Sequence, residues 1–329
     1  MSEWSNKKSE IYRSLDAIPA NFGPSVVAIG NFDGVHRGHQ AILAALLQDA
    51  RLRGARAIAI TFDPHPEKFL HPGNAPMLLT PMDERLRLLS KTGLDAALVL
   101  RFDEELAHMP ARIFVHRVLK GALRAKAVHE GENFRFGFRA EAGIDELAAF
   151  GQEMGFTVSV HKPVQVHRME VSSSAVRRLV SQGKMQQARW MLGRPFAIVS
   201  QLARGRGVGT KLLFPTLNLA KYDGLLPAQG VYATFLSVNG CCFEAVTNVG
   251  VRPTFDGAGF SVETHILNFE PIEMNDQTEV AVAFHRRLRA EQKWSSPEAL
   301  KAQIAKDIAQ ARRYFRLASV CGVTGDKVE

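Results

Sequence analysis

Short apolar runs alternate with helical patterns along the first half of the chain. SVVAIG and ARAIAITF have the continuous apolar character of buried strands, and HQAILAALLQDARLRG between them repeats apolar residues at three- and four-residue spacing up to Gly54. DAALVLRF and KAVHEG continue the series as strands. This alternation predicts an α/β fold with a doubly wound parallel sheet. The other predicted elements are helices at Pro81–Thr92, Pro110–Leu123 and Ile144–Gly155 and a strand at Thr157–His161.

The pattern changes in the second half. FAIVSQLARG, GVYATFLSV, CCFEAVTNVG, FSVETHILNF and TEVAVAFHRRL are β-rich runs without helices between them. Asn239 and Gly240 lie between two of these runs and are typical of a two-residue hairpin turn, whose central residues need positive φ. An amphipathic helix follows from Pro297 to about Tyr314. We therefore predict an α/β domain over residues 1–186 and a small antiparallel β-barrel domain with a C-terminal helix over residues 187–329.

Length and composition narrow the class of protein. A chain of 329 residues is long enough for two domains. It contains neither a membrane-length apolar run nor an N-terminal secretory pattern, so no membrane partner is expected. Three cysteines without disulfide or zinc-site spacing predict reduced thiols and a cytoplasmic location. The net charge of +8 suits a polyanionic substrate such as a nucleotide triphosphate as well as it suits nucleic acid, because the basic residues are dispersed.

The stretch GNFDGVHRGHQ places His36 and His39 where the first predicted strand gives way to a helix. A histidine at that position can cap the helix or pack, and the pair can also form part of a metal site. The functional interpretation is an anion site, because the N–H groups of a helix start and imidazole donors both suit phosphate. Nucleotidyl transfer needs mainly such positioning and charge stabilisation.

The segment VSSSAVRRL begins another predicted helix. A serine cap is sufficient to explain its hydroxyl groups. The functional interpretation keeps the cap and adds Arg177, which in the first turn would point with the helix N-terminus at a polyphosphate.

Two sets of motifs together resemble one known family. GNFDGVHRGHQ, TFDPHP, GENFRFG and SSSAVR occur in the order found in the adenylyltransferase half of the bacterial bifunctional riboflavin kinase/FMN adenylyltransferases, or FAD synthetases. LGRPF, FPTLNL, GVY, NVGVRPTF and ETHIL are similar to the riboflavin kinase half. The resemblance covers nearly the whole chain apart from some residues at each end, and it implies a nucleotidyltransferase domain followed by a kinase barrel.

The resemblance assigns the first half to ATP and FMN. His36 and His39 would bind the ATP phosphates and stabilise the transition state, without a covalent enzyme intermediate, and Arg177 would hold the departing phosphates. Phe62 offers an aromatic face for a flat ring, although core packing is an equal alternative. The further ATP or phosphate residues are Gly30, Phe32, Asp33, Gly34, Gly38, Ser172 and Ser173, and the further flavin residues are His65, Pro66, Asn133 and Phe134.

The second half carries the kinase residues of the family. Thr216 and Asn218 face the same way on an extended segment, and their oxygens are suitable ligands for Mg²⁺, although such a pair alone is more typical of a turn. By the resemblance they bind Mg²⁺ with ATP. Glu263, which in isolation would be an ordinary solvent-facing strand residue, becomes the base that accepts the proton of the riboflavin 5′-hydroxyl.

Other kinase-half residues are assigned less directly. His265 shares the face of Glu263 and is expected to support it. Arg287 is assigned to the flavin and Arg289 to the flavin or phosphate side, with solvated arginines as the alternative. Gly205, Gly207 and Gly209 would form a phosphate-covering flap. The sequence departs from the family at Thr210 and Leu213, which replace an arginine and a glycine of that flap, and SSS replaces the usual serine-serine-threonine.

The predicted function is a pair of reactions. Riboflavin and ATP give FMN and ADP, and FMN and ATP then give FAD and pyrophosphate, both with Mg²⁺. One alternative is a nucleotidyltransferase of another substrate class with a degenerate barrel, which the intact FPTLN and ETHIL motifs argue against. The other is a nucleic-acid-binding protein, but the barrel strands lack the interleaved aromatic and basic residues of such proteins. No nucleic-acid partner is expected, and no oligomeric state follows from the sequence.

Overall fold

The computed structural model describes residues 9–203, 216–220, 222–254, 257–268 and 277–320. The chain divides into two compact units, Met1–Ser173 and Ser174–Glu329. This division precedes a helix that the sequence analysis placed in the first domain, and the boundary at residues 186 and 187 stays a prediction. No helix within the described ranges is both long and apolar enough to cross a bilayer.

A six-stranded parallel sheet forms the centre of the first unit and confirms the predicted doubly wound fold. Its strands are β1 (Glu10–Tyr12), β2 (Ser25–Ile29), β3 (Arg56–Asp63), β4 (Ala96–Arg101), β5 (Ala125–Gly131) and β6 (Thr157–His161). They pair in parallel in the order β1-β4-β3-β2-β5-β6. Strand order therefore reverses between β2 and β5, and in sheets of this kind ligands bind in the crevice at that point. The short β1 had no predicted counterpart.

The helices of the first unit follow the predicted positions with three differences, the first of which is that the four-residue helix α4 (Glu104–Ala107) had no predicted counterpart. The five-residue helix α2 (Pro66–Leu70) also had no predicted counterpart; Pro66 occupies its first turn and His65 caps it. The predicted helix over Pro110–Leu123 changes its winding after α5 and continues as a π-helix, in which the Leu123 N–H bonds the Val118 carbonyl. The helices are α1 (Arg37–Arg53), α2 (Pro66–Leu70), α3 (Met82–Ser90), α4 (Glu104–Ala107), α5 (Ala111–Phe114) and α6 (Ile144–Met154).

Both faces of the sheet are covered by apolar side chains. On one face the strands pack against α1 and α3 through residues such as Val26, Leu43 and Leu89. On the other face Val27 and Ile29 join a cluster with Phe114 and neighbouring residues of the π-helix. Because both faces are buried, the strands show the continuous apolar runs seen in the sequence. A short antiparallel ribbon of β7 (Gln165–Val166) and β8 (Met169–Glu170) follows β6.

The second unit contains a six-stranded antiparallel sheet, also as predicted. Its helices are α7 (Ser173–Ser181, which begins at the last residue of the first unit), α8 (Met185–Leu192) and α9 (Pro297–Val320). Its strands are β9 (Phe196–Gln201), β10 (Thr216–Asn218), β11 (Gly230–Val238), β12 (Cys241–Thr254), β13 (Gly257–Ile266) and β14 (Glu279–Ala290). They pair in the order β10-β13-β12-β11-β14-β9. A bridge between Leu202 and Leu219 joins the two ends of this order and closes the barrel.

Local sequence explains the form of the barrel. Asn239 and Gly240 connect β11 to β12 with φ values of 47° and 78°, as the hairpin prediction requires. Helix α9 lies along the outside of the sheet, where Phe315 is buried against Phe235 with ring centroids 4.9 Å apart. Arg289 on β14 forms an ion pair of 2.9 Å with the buried Asp307 of α9.

Candidate active sites

The loop after β2 has an unusual backbone. Gly34 has a φ of 82°, and two non-glycine residues, Phe32 and Val35, have φ values of 47° and 38°. Positive φ is costly for a β-branched side chain, and such strain is retained mainly at functional sites. Phe32 and Val35 are both buried, so packing holds them in this conformation.

A buried ion pair between Asp33 and Arg85 stabilises this loop. Both carboxylate oxygens of Asp33 accept hydrogen bonds, from the backbone N–H groups of Leu79 and Thr80 at 2.9 Å each. Arg85 lies 3.9 Å from the same carboxylate, and both side chains are 1% exposed. The Ser173 hydroxyl donates to the Asp33 carbonyl at 2.9 Å. Asp33 and Ser173 therefore position the loop, which is a role that the motif alone did not reveal.

His36 and His39 lie together at the start of α1. His36 is the N-cap, and its Nδ1 accepts the His39 backbone N–H at 3.3 Å. The two imidazole rings stack with centroids 3.6 Å apart. Because Nδ1 of His36 is an acceptor, a neutral His36 carries its proton on Nε2, which is then the donor. A Cβ at Gly38 would lie 3.1 Å from this ring, so glycine permits the close approach. The same arrangement of His36 and His39 therefore fits both the capping interpretation and the anion-site interpretation.

A cavity of about 830 Å³ opens on the same unit beside this loop. Gly30 and Asn31 form part of its wall, and its size is in the usual range for small-molecule sites. The predicted flavin residues Phe62, Pro66, Asn133 and Phe134 all line it, whereas His65 caps α2 instead. Further aromatic rings in the wall belong to Phe69, Phe102, Phe114, Phe136 and Phe138.

The wall of this cavity combines ring faces with positive charge. Phe134 and Phe136 stack with centroids 5.3 Å apart, and Phe62 meets Phe102 edge to face at 5.9 Å. Arg139 lies 5.0 Å from the centre of the Phe138 ring. Flat aromatic ligands and anionic groups are both suited to such a wall. The motif GENFRFG predicted part of this wall, but nothing in the sequence distinguishes Phe102 and Phe138 from core residues.

Two further groups of ionisable residues were missed by sequence reasoning. Glu130 at the end of β5 is buried and accepts the backbone N–H of Ile29, and burial raises the pKa of this carboxyl well above its usual range, with the hydrogen bond partly opposing. His129 bonds Asp49 at 3.1 Å and His161 at 3.0 Å. Burial, with a smaller effect of His129, lowers the pKa of His161. These residues are far apart in sequence, so no local pattern marks them.

The barrel brings four of the predicted kinase residues onto neighbouring strands. Asn218 on β10 pairs directly with Glu263 on β13, and Thr216 pairs with His265. Paired residues of antiparallel strands share a face, so the four side chains belong to one side of the sheet. Glu263 is partly exposed and accepts a hydrogen bond from the Ser261 hydroxyl at 2.9 Å.

The structure does not bring the arginines to this group. The side chain of Arg287, a residue of β14, lies against the turn between α7 and α8, where a Cβ at Gly183 would be 2.7 Å from it. It donates a hydrogen bond to the Gln229 carbonyl. Arg289 is held by Asp307 as described above. The predicted flap glycines Gly205, Gly207 and Gly209, with Thr210 and Leu213, lie outside the described residues. Arg177 belongs to α7 in the second unit.

In the comparison with known proteins, the two halves of the chain match two different family models. The family model for FAD synthetase matches residues 18–175, and that for riboflavin kinase matches residues 192–315. A bifunctional riboflavin kinase/FMN adenylyltransferase of Pseudomonas fluorescens is 35% identical over 92% of this chain and 97% of its own length. The protein of that name from Escherichia coli K12 is 35% identical over 89% of this chain and 93% of its own.

A solved structure is also similar. A crystal structure from Streptococcus pneumoniae, described as a macrolide-efflux protein, matches with a TM-score of 0.82 and 26% identity over 93% of this chain and 99% of that one. The two family matches, one over the parallel-sheet unit and one over the barrel, define the chain as a transferase with two activities. The chain belongs to the bifunctional riboflavin kinase/FMN adenylyltransferase family and is an enzyme of flavin cofactor biosynthesis.

Proposed function

We propose that the barrel unit phosphorylates riboflavin to FMN and that the parallel-sheet unit transfers AMP from a second ATP to FMN, giving FAD and pyrophosphate. The family assignment supports the two reactions. The assignment of the kinase site to the barrel face is supported most directly by one observation, the pairing of Asn218 with Glu263. The adenylyl-transfer site is supported by the aromatic cavity beside the His36 loop.

In the kinase reaction Glu263 acts as the general base. Its carboxylate accepts the proton of the riboflavin 5′-hydroxyl as that oxygen attacks the γ-phosphorus of ATP, and ADP leaves. The hydrogen bond from Ser261 orients one oxygen of this carboxylate. His265 is two residues away on the same strand face and supports this site.

Thr216 and Asn218 are the proposed protein ligands of Mg²⁺ that arrives with ATP. The fit is chemical, since a hydroxyl and an amide oxygen on one face of β10 are hard donors next to a carboxylate. Among the described residues no group of three or more His, Cys, Asp or Glu side chains could hold a metal ion. Such a sparse set suits Mg²⁺, which keeps phosphate oxygens and waters as most of its ligands. When bound, the ion neutralises charge on the transferring phosphoryl group.

In the adenylyl transfer the isoalloxazine ring of FMN occupies the aromatic cavity, with Phe62 and Phe134 against it. Its phosphate then points past Gly30 and Asn31 toward the start of α1 and attacks the α-phosphorus of ATP. His36 and His39 donate hydrogen bonds to the phosphate oxygens, where charge increases in the transition state. The N-terminus of α1 adds its own positive field. No covalent enzyme intermediate is required.

The remaining assignments surround these two centres. We assign Ser172 and Arg177 to the departing pyrophosphate, and Asp33 and Ser173 to holding the loop that carries the histidines. Gly205, Gly207 and Gly209 are assigned to a flap over the kinase nucleotide. The cytoplasm is the proposed compartment, in keeping with the free thiols of Cys241 and Cys242.

Chromatography of the reaction products tests the whole proposal. The purified chain is incubated with riboflavin, ATP and Mg²⁺, and flavins and nucleotides are followed over time. We expect FMN to appear before FAD, ADP to form with FMN, and pyrophosphate to form with FAD. If FAD forms only from added FMN, the barrel is not a kinase; if FMN accumulates without FAD, the first unit does not use FMN.

A further inference from the structure

Glu130 lies at the point where strand order reverses in the first unit. The chain leaves β2 toward β3 on one side of the sheet and β5 toward β6 on the other. The described pairs of β2 with β5 end at Val27 and Val128. Beyond them the Ile29 N–H donates to the Glu130 side chain, so the carboxyl lies between the diverging strand ends. This is the crevice in which doubly wound sheets bind their ligands.

The protein provides Glu130 with little compensation for burial. The side chain is 3% exposed, and within the described residues it makes no hydrogen bond apart from that with Ile29. Burial raises the pKa of its carboxyl, against the smaller opposing effect of the Ile29 N–H. A carboxyl that keeps its proton has one O–H donor in addition to the oxygen that accepts from Ile29. A buried donor of this kind needs an acceptor.

The side chain belongs to the face of the sheet that carries the aromatic cavity. Val128 and Glu130 are two apart on β5 and share a face, and Val128 belongs to the apolar cluster that also holds Ile29 and Phe114. Ile29 and Phe114 both line the cavity. Ile29, which donates to Glu130, therefore connects the cavity wall to the loop that carries His36.

We propose that Glu130 is an FMN-binding residue of the adenylyl-transfer site, which donates a hydrogen bond to the ribityl phosphate part of FMN while its other oxygen holds Ile29. A phosphorylated polyol is the part of FMN that must pass this point if the ring is in the cavity and the phosphate is near His36. The inference rests on the proposed placement of FMN. Glu130 positions substrate, and no bond is made or broken at its carboxyl.

The charges around Glu130 do not provide it with a close partner. β2 contributes no ionisable side chain, and only burial and the Ile29 N–H influence its pKa. On β5 and β6 and in the cavity wall the ionisable residues besides Glu130 are Lys126, His129, His161, Glu67, His71, His108, Arg135 and Arg139. Ionisation of Glu130 at high pH would therefore place an unpaired negative charge beside the FMN phosphate. FMN binding should weaken as that happens.

The test is the pH dependence of the KM for FMN in FAD formation, measured with the full chain and saturating Mg-ATP. We expect KM to rise about tenfold or more as pH increases through the titration of Glu130. Glu130→Gln keeps a donor and an acceptor without a charge, so its KM should stay low and lose this rise. Glu130→Val removes the donor and should raise KM about tenfold or more at every pH. Riboflavin phosphorylation by the same samples is the control and should not change.

The outcomes separate this inference from the proposed function. If the parent makes no FAD, the placement of FMN is wrong and the inference falls with it. If the parent makes FAD but Glu130→Gln keeps the parent's pH dependence, or Glu130→Val keeps its KM, then Glu130 merely fills space between the strands. If Glu130→Val is unstable, the comparison of Glu130→Gln with the parent decides alone, since that variant preserves shape and the Ile29 hydrogen bond.

Discussion

Asn218 and Glu263 are direct cross-strand partners in the barrel, although they are 45 positions apart in the sequence. The pairing places an amide that can bind a cation next to a carboxylate that can accept a proton. Phosphoryl transfer from Mg-ATP to an alcohol needs both groups near one phosphorus. The fold thus brings the two residues of the proposed kinase site together by strand register rather than by local sequence.

Substitution of Glu263 by Gln tests the proposed base. The amide keeps the size and the hydrogen bond with Ser261 but cannot accept the substrate proton, so FMN formation should fall by about 10²–10⁴-fold. Conversion of added FMN to FAD should continue at the parental rate, as product chromatography will show. Glu279→Gln, an exposed change on β14, is the matched control. Unchanged FMN formation in Glu263→Gln would mean that the base lies elsewhere.

Substitution of His39 by Ala tests the adenylyl-transfer site. Loss of one donor to the transition-state oxygens should lower the rate of FAD formation from FMN by about 10²–10³-fold. Riboflavin phosphorylation should be unaffected, since His39 belongs to the other unit. His116→Ala changes an exposed histidine of the same unit and serves as the control. Parental FAD synthesis by His39→Ala would exclude the assigned role.

The buried pair of Asp33 and Arg85 should be sensitive to removal of one partner. Arg85→Met leaves the Asp33 carboxylate without its cation, which typically costs about 3–5 kcal/mol in a buried pair. The urea concentration that halves FAD formation should therefore decrease, whereas that for FMN formation should stay near the parental value. Arg87→Met, which removes a half-exposed ion pair on the same helix, should have little effect. Equal urea sensitivity of the two variants would contradict a structural role for the pair.

The Asp49–His129–His161 chain predicts a decrease in stability on mild acidification. The folded His161 has a lowered pKa, so between that pKa and about 6.5 the unfolded chain binds more protons than the folded one. The free energy of unfolding should therefore be highest above this window and decrease as pH falls through it. Urea unfolding followed by circular dichroism at several pH values measures the slope. His161→Gln should reduce the slope, and an unaltered slope would assign it to other groups.

Fragments test the boundary between the units. A fragment of residues 174–329 keeps α7 and the turn at Gly183, which packs on Arg287 and Tyr232 of the barrel. It should be soluble and phosphorylate riboflavin without making FAD. A fragment of residues 187–329 loses these contacts and should be less stable in thermal unfolding. Equal stability of the two fragments would favour the boundary that the sequence predicted.

Sequence patterns predicted the strands and the larger helices well, since buried parallel strands are continuous apolar runs and Gly54 or Asn239-Gly240 mark defined backbone conformations. They did not predict α2 or α4, which are short helices capped by His65 and Asp103, or the eight-residue π-helix that continues α5. The motifs marked His36 and His39, which lie together, and Phe62, which lines the aromatic cavity; their roles stay predictions. The assignment of Arg287 to the flavin stays a prediction, and its contact with Gly183 depends on tertiary packing that the sequence does not show.

Residues that act through long-range contacts could not be found in this way. In the sequence, nothing distinguishes Arg85 from an exposed charged residue of a helix, or Glu130 from an exposed polar residue at a strand end. Their burial becomes apparent only when the strands and loops are assembled. The roles given to the site residues stay predictions until the variants above are measured.

The closure of the barrel has a consequence for its motion during turnover. The Ala203 N–H bonds the Asn218 carbonyl, and the Ala220 N–H bonds the Gln201 carbonyl, each at 2.8 Å. The strand proposed to hold the cation is therefore also the seam, and it is only three residues long. Mg-ATP bound at Thr216 and Asn218 would stabilise the hydrogen bonds that close the barrel at this strand. The amides of Ala203 and Ala220 should then exchange hydrogen for deuterium more slowly with the nucleotide present. Without nucleotide, we expect the barrel to open transiently between β9 and β10.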